Sequence, residues 1–163
     1  MRVVMTAAAL VALLMAGCAG FLRPERGMVA AQEGRIALVE NLTEGDWATG
    51  DVRVTYSLAC RDGGCSLKGR LVVADAVTNS FPVITSFFIY VSFLDGDGKV
   101  VESYDITPVI PTFGTTPASL SLKLEQRQPA EAKFMVFHYY GGFRSNPISE
   151  GGSWEISHFP FKR

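Results

Sequence analysis

Charge is scarce in this chain and thinly spread. Asp, Glu, Lys and Arg together make up 19 % of the residues, and no run of Lys or Arg occurs. A nucleic-acid partner needs a basic patch to neutralise phosphates, so the sequence argues against one. Marked catalytic motifs are also missing. There is no Gly-x-Ser-x-Gly elbow, no His-Glu-x-x-His and no Gly-rich phosphate loop, so nothing selects a hydrolase or a nucleotide enzyme. Histidine is nearly absent, with only His138 and His158, and neither sits in a metal-ligand spacing. No cofactor and no metal is implied.

What is present is apolar. Hydrophobic residues reach 48 %, which argues against disorder, and eleven Phe with recurrent Val and Ile give a β-leaning composition. The chain opens with Met1-Arg2, one positive charge, followed by an apolar run from Val3 to Ala16 broken only by Thr6. That run is the length of a signal-peptide core and short of the ~20 residues a membrane-spanning helix needs. It closes in Met15-Ala16-Gly17-Cys18.

The order of charge, apolar core, small residues and cysteine resembles the bacterial lipoprotein signal. The resemblance implies cleavage before Cys18, a diacylglycerol on its sulfur and acylation, such as by palmitate, of the new amino group. Met15 stands where Leu is commonest, and its similar volume fits the same box. An ordinary secretory peptide cut after Ala19 is the competing reading. Ala19 is not the Asp that resembles an inner-membrane retention signal, so the resemblance implies the outer membrane, on its periplasmic side. The expected organisation is a signal peptide over 1–17, a lipid-anchored tether over 18–34 and a single domain over 35–163. Removing the leader leaves 146 of the 163 residues, enough to bury a core.

Gly20, Pro24, Gly27 and Gly34 break the segment after Cys18. From Met28 to Leu42 a short helix is suggested by Ile36, Val39 and Leu42 at three-residue spacing, while Arg35 to Val39 reads equally as a strand. Beyond Asp51 the period is two. Val52, Val54, Tyr56 and Leu58 alternate with polar residues, as a half-buried strand requires. Leu67 to Val73, Phe87 to Leu94, Val100 to Ile106, Leu120 to Leu124, Phe134 to Tyr140 and Trp154 to His158 follow, separated by turn residues. About seven strands without alternating helices predict a mainly β protein, an antiparallel β-sandwich. The stretch Phe93-Leu94-Asp95-Gly96-Asp97-Gly98-Lys99-Val100-Val101 resembles a hairpin of bacterial immunoglobulin-like domains, which implies that type of sandwich. Strands 84–94 and 133–140 are apolar on both faces. Either the N-terminal segment covers the second face, or that face binds something.

Cys60 and Cys65 flank the turn Arg61-Asp62-Gly63-Gly64. Facing positions of a hairpin lie within disulfide reach, and an exported chain meets an oxidising compartment, so a structural bridge is expected. Asp95, Asp97, Glu102 and Asp105 invite a calcium reading, but Gly98 and Lys99 occupy the wrong loop positions and a hairpin turn explains the same residues. Tyr139, Tyr140, Phe143 and Arg144, before Ser145-Asn146-Pro147, form the candidate partner contact, since Tyr and Arg are frequent at interface centres. The alternative there is a loop whose aromatics cap the core. The function expected is a non-catalytic, lipid-anchored envelope module contacting another envelope protein. A carrier of a hydrophobic ligand is the other reading, and it would need an apolar cavity of several hundred Å3.

Overall fold

The computed structural model describes residues 23–61, 64–110, 114–127, 129–147 and 151–162. Eight strands of six or more residues build two antiparallel sheets. In chain order they are β3 (Leu42–Ala48), β4 (Val52–Arg61), β5 (Gly64–Val73), β6 (Val83–Leu94), β7 (Val100–Asp105), β8 (Leu120–Arg127), β9 (Phe134–Arg144) and β10 (Ser153–His158). Three further strands have two residues each: β1 (Val29–Ala30), β2 (Ile36–Ala37) and β11 (Phe161–Lys162). A single helical turn, α1 (Asp75–Thr78), links the sheets between β5 and β6.

The first sheet runs β3-β4-β5-β8 and the second β10-β9-β6-β7, with β2 added beside β9. Strands β3, β4 and β5 are consecutive neighbours. The chain then crosses for the β6–β7 hairpin, returns to lay β8 against β5, and crosses again for β9 and β10. Three consecutive strands in one sheet differ from the immunoglobulin constant-type order, which places only two there before crossing. The sandwich expectation holds, and the strand order is the protein's own.

Alternation dictates which side chains meet. In β4, Val52, Val54, Tyr56 and Leu58 are buried, and in β8 so are Leu120, Leu122 and Leu124. Facing them are Phe87, Ile89, Val91 and Phe93 of β6 and Met135, Phe137 and Tyr139 of β9. Aromatic rings join the layers: Phe137 lies 5.5 Å from Trp47 and 5.4 Å from Tyr56, centre to centre. Gly141 interrupts this packing for a reason. A Cβ there would stand 2.8 Å from the Phe87 ring and 2.9 Å from that of Phe143.

The segment expected as a tether, 18–34, folds onto the protein from Arg23, the first residue of it that is described. Gly27 donates its N–H to Val100 and Ala30 to Gly98, while β1 pairs with β11. Ala30 and Phe161 thereby close over Leu94, Val100 and Val136 in a second, smaller core on the outer side of the second sheet. Coverage by the N-terminal segment and Phe161 thus accounts for the apolar outer residues at the Leu94 and Val136 end of β6 and β9, and leaves Phe88, Tyr90 and Tyr140 further along the same side partly open. Of the two readings of the segment 28–42, the helix is replaced, and the strand over Arg35 to Val39 is met by β2. The segment holds β1, one 3-10 turn (Gln32–Gly34) and β2. Arg35 fixes that turn by donating two hydrogen bonds to the Ala30 carbonyl, at 2.8 and 3.2 Å.

Candidate functional site

Cys18 and the leader lie outside the described residues. Cys60 and Cys65 do not: they are directly paired in the β4–β5 register, with Cα atoms 4.1 Å apart and their sulfurs bonded. Asp62 and Gly63 of the intervening turn lie outside the described residues. At the β6–β7 turn, the Asp95 carboxylate accepts the backbone N–H of both Asp97 and Lys99 at 2.9 Å, and Asp97 pairs with Lys99. Gly98 takes the positive φ of 82° that this turn demands. Of the carboxylates that suggested calcium, Asp95 and Asp97 are therefore parts of a hairpin turn, while Glu102 and Asp105 belong to β7.

The four residues expected as a partner contact do not lie in a loop. They form the end of β9, which continues through Gly141 and Gly142 to Arg144. Period two then divides them. Tyr139 and Phe143 point into the sandwich and are buried, which corrects their assignment as a contact surface. Tyr140 and Arg144 lie on the outer side and are half-exposed. Tyr139 instead reaches across the sandwich edge, its hydroxyl 2.7 Å from Thr49 Oγ1 and donating to Asp51 at 3.2 Å. Burial pushes its phenol up to about 12; the Thr49 hydrogen bond works against the rise and the Asp51 carboxylate adds to it.

Both histidines have defined places. His158 ends β10 with its ring 5.4 Å from Trp47 and stacked beside Tyr139. Its buried Nε2 has no hydrogen-bond partner among the described residues, and burial lowers its pKa. His138 lies on the opposite, outer side of β9, where its Nε2 is 2.9 Å from Ser92 Oγ. Ser92 Oγ in turn is 2.7 Å from Ser103 Oγ, and Arg23 donates to the Ser103 carbonyl. A Ser–His contact of this length is what a nucleophile needs from its base. Here both side chains are sealed, Ser92 at 0 % and His138 at 1 % exposure. Tyr90 stacks on the imidazole at 5.2 Å, with the Phe159 and Phe161 rings edge-on to it.

Those covering rings continue into an aromatic face. Phe88 faces Tyr140 in the β6–β9 register, and the next rung on the same side is Tyr90 facing His138. Phe88 and Phe159 are each 38 % exposed, with Tyr90 and Tyr140 half-exposed between them. The Glu155 carboxylate beside Tyr140 is the main reason its pKa is raised. Period two in β6 already places Phe88 and Tyr90 together on its second face. The part of Phe159 was not legible, because it depends on how the chain returns after β10.

No protein-family profile matches this sequence, and comparison with curated proteins and with solved structures finds no similar protein. Among the described residues no helix is long and apolar enough to cross a membrane, and no cluster of His, Cys, Asp or Glu has the form of a metal site.

Proposed function

We propose that this protein is a non-catalytic, lipid-anchored envelope module that binds another envelope protein through the outer aromatic face of its second sheet. The observation that carries the reading is that face: Phe88, Tyr90, Tyr140 and Phe159 are contiguous and remain partly open to solvent. Isolated exposed apolar residues are ordinary, but a contiguous aromatic group rimmed by Glu155, Asp105 and Arg23 has the composition of an interface centre. The carrier reading gains nothing comparable, since the doubly apolar parts of β6 and β9 are filled by the chain's own Ala30, Val100 and Phe161. The enzyme reading meets a Ser–His pair with no exposure to substrate.

The lipid supplies the address. Arg23, already hydrogen-bonded to β7, stands only five residues after Cys18. At ~3.6 Å per residue, the domain hangs within about 18 Å of its anchor. Two or three acyl chains, at ~0.8 kcal/mol per buried methylene, hold it there firmly.

Two measurements test this. Metabolic labelling with an alkyne fatty acid should mark the wild type and not Cys18→Ser; a labelled Cys18→Ser protein overturns the anchor. In-cell crosslinking of the wild type and of Phe88→Ser plus Tyr140→Ser should give different partner sets. Identical sets from a variant that still folds overturn the contact face.

A further inference from the structure

The sequence spreads its basic residues, but the fold gathers six of them. On the outer side of the first sheet stand Arg53, Arg61, Lys68, Arg70, Lys123 and Arg127, all exposed. The same side carries three carboxylates, Glu44, Asp46 and Glu125, so it holds a net +3 in a chain whose formal charge is −1. Two of those carboxylates are occupied by hydroxyls: Thr55 donates to Asp46 at 2.8 Å and Ser66 to Glu125 at 2.7 Å. None of the six cations makes an ion pair with a described residue, whereas Lys99 and Asp97 pair on the far side of the molecule. Lys68 is placed directly opposite Lys123 in the β5–β8 register. Like charges at facing positions destabilise a sheet, so the arrangement costs stability that an alternating pattern would have kept.

We infer that this face docks a carboxylate-rich segment of another protein. It is a surface distinct from the aromatic face. The inference rests on the cation arrangement, and only its exclusion of the anchoring membrane uses lipidation at Cys18. Arg23, the described residue nearest Cys18, is bonded to β7 in the other sheet, so the basic face lies across the sandwich from the anchor. Nucleic acid fits less well. A single-strand groove interleaves its cations with aromatic platforms, and the outward positions here hold Ser57, Thr55, Ser66 and Ser121 between the charges. Short hydroxyl side chains beside Lys and Arg suit carboxylates, which accept from both.

Anisotropy of fluorescent poly-L-glutamate, titrated with the mature protein in detergent micelles, tests the inference. The wild type should bind at low salt and lose the peptide at about 0.5 M salt, where charges are screened beyond a few Å. The variant Lys68→Gln/Arg70→Gln/Lys123→Gln should bind about tenfold more weakly, the scale of three exposed charge contacts. The charge-matched variant Arg26→Gln/Lys133→Gln/Lys162→Gln should stay within about twofold of wild type, because its changes lie off the face. Equal losses in both variants would reduce the effect to net charge and overturn the inference, as would absence of binding. Tighter, face-dependent binding of duplex DNA or of phosphatidylglycerol vesicles than of poly-L-glutamate would also overturn it, in favour of a phosphate surface. Neither variant alters Cys18, Phe88 or Tyr140, and the mature protein is titrated whether or not it carries lipid, so the two proposals fail separately.

Discussion

The Tyr139 hydroxyl of the second sheet and the Thr49 Oγ1, in the turn between β3 and β4 of the first, lie 2.7 Å apart. Thr49 Oγ1 also accepts the N–H groups of Asp51 and Val52, each at 3.2 Å, which shapes the turn between β3 and β4. One phenol therefore clamps the second sheet to a turn of the first. Tyr139→Phe keeps the ring that stacks on Phe87 and deletes only the clamp. It should lower unfolding free energy by about 2 kcal/mol, the usual net value of its two bonds, to Thr49 and to Asp51. Urea unfolding checks this, with an unchanged m-value showing that the fold is retained.

The same phenol sets an alkaline limit. Its pKa is pushed up to about 12 in the fold, against an unfolded value of 10. Between those values the unfolded chain has lost the proton and the folded chain keeps it. Stability should therefore fall as pH rises from about 10 towards 12, and Tyr139→Phe should flatten that slope. Thermal melts across this range, compared between the two proteins, give the answer.

His158 has the opposite dependence. Burial depresses its pKa below the model-peptide value of 6.5, so the folded state holds it neutral while the unfolded chain takes a proton. Stability should be full above about 6.5 and should decline as pH falls below it, until the folded pKa is reached. His158→Gln should remove that component of the acid sensitivity. Melting temperatures of both proteins between pH 7 and 5 would show it; parallel curves would mean that His158 does not titrate differently on folding.

The Cys60–Cys65 bridge closes a loop of only a few residues at the end of the β4–β5 hairpin. Chain entropy assigns so short a loop about 2 kcal/mol, and the ladder from Val52↔Val73 to Ala59↔Ser66 persists without it. Cys60→Ser/Cys65→Ser should therefore stay folded and lose about 2 kcal/mol in urea unfolding. Alkylation with and without prior reduction should differ in mass for the wild type alone.

How far the sequence carried this picture follows from the physics of each element. Each of the seven alternating runs became a strand, because burying one face of a sheet writes period two into the residues. β3 escaped that signal: its inward positions are Thr43, Gly45 and Trp47, and only Trp47 is strongly apolar. Gly45 is there because a Cβ would come 2.9 Å from the Tyr56 hydroxyl. β1 was illegible, and β2 was legible only as an alternative to a helix, for a different reason. Two-residue strands have no period, and their partners, Phe161 and Lys162 for one and Phe134 and Met135 for the other, are about a hundred or more residues away in the chain. Gly141 and Gly142 lie inside β9, where a Cβ at Gly141 would meet the Phe87 and Phe143 rings and one at Gly142 the Thr85 and Ser86 hydroxyls. The contact residues were read as a loop at the end of the 134–140 strand; they continue β9 instead, and half of them point inward, since a strand apolar on both sides does not reveal which side is inward. The basic face was invisible because its members come from three strands and never adjoin in sequence.

The buried Ser92–His138 pair gives the sharpest test of the non-catalytic reading. If the pair is structural, Ser92→Ala removes a hydrogen-bond partner from both His138 Nε2 and Ser103 Oγ in a site closed by Tyr90, Phe159 and Phe161. Leaving buried polar atoms short of a partner costs about 1–3 kcal/mol, so the variant should be clearly destabilised. Ser92→Thr keeps the hydroxyl but adds a methyl to a filled site and should also lose stability, by overpacking. Catalysis would instead require reagent access to Ser92 Oγ. A fluorophosphonate probe should leave the folded wild type unlabelled, because Ser92 is 0 % exposed. Stoichiometric labelling that disappears in Ser92→Ala, together with unchanged stability of that variant, would show an opening of this site and make the protein a hydrolase.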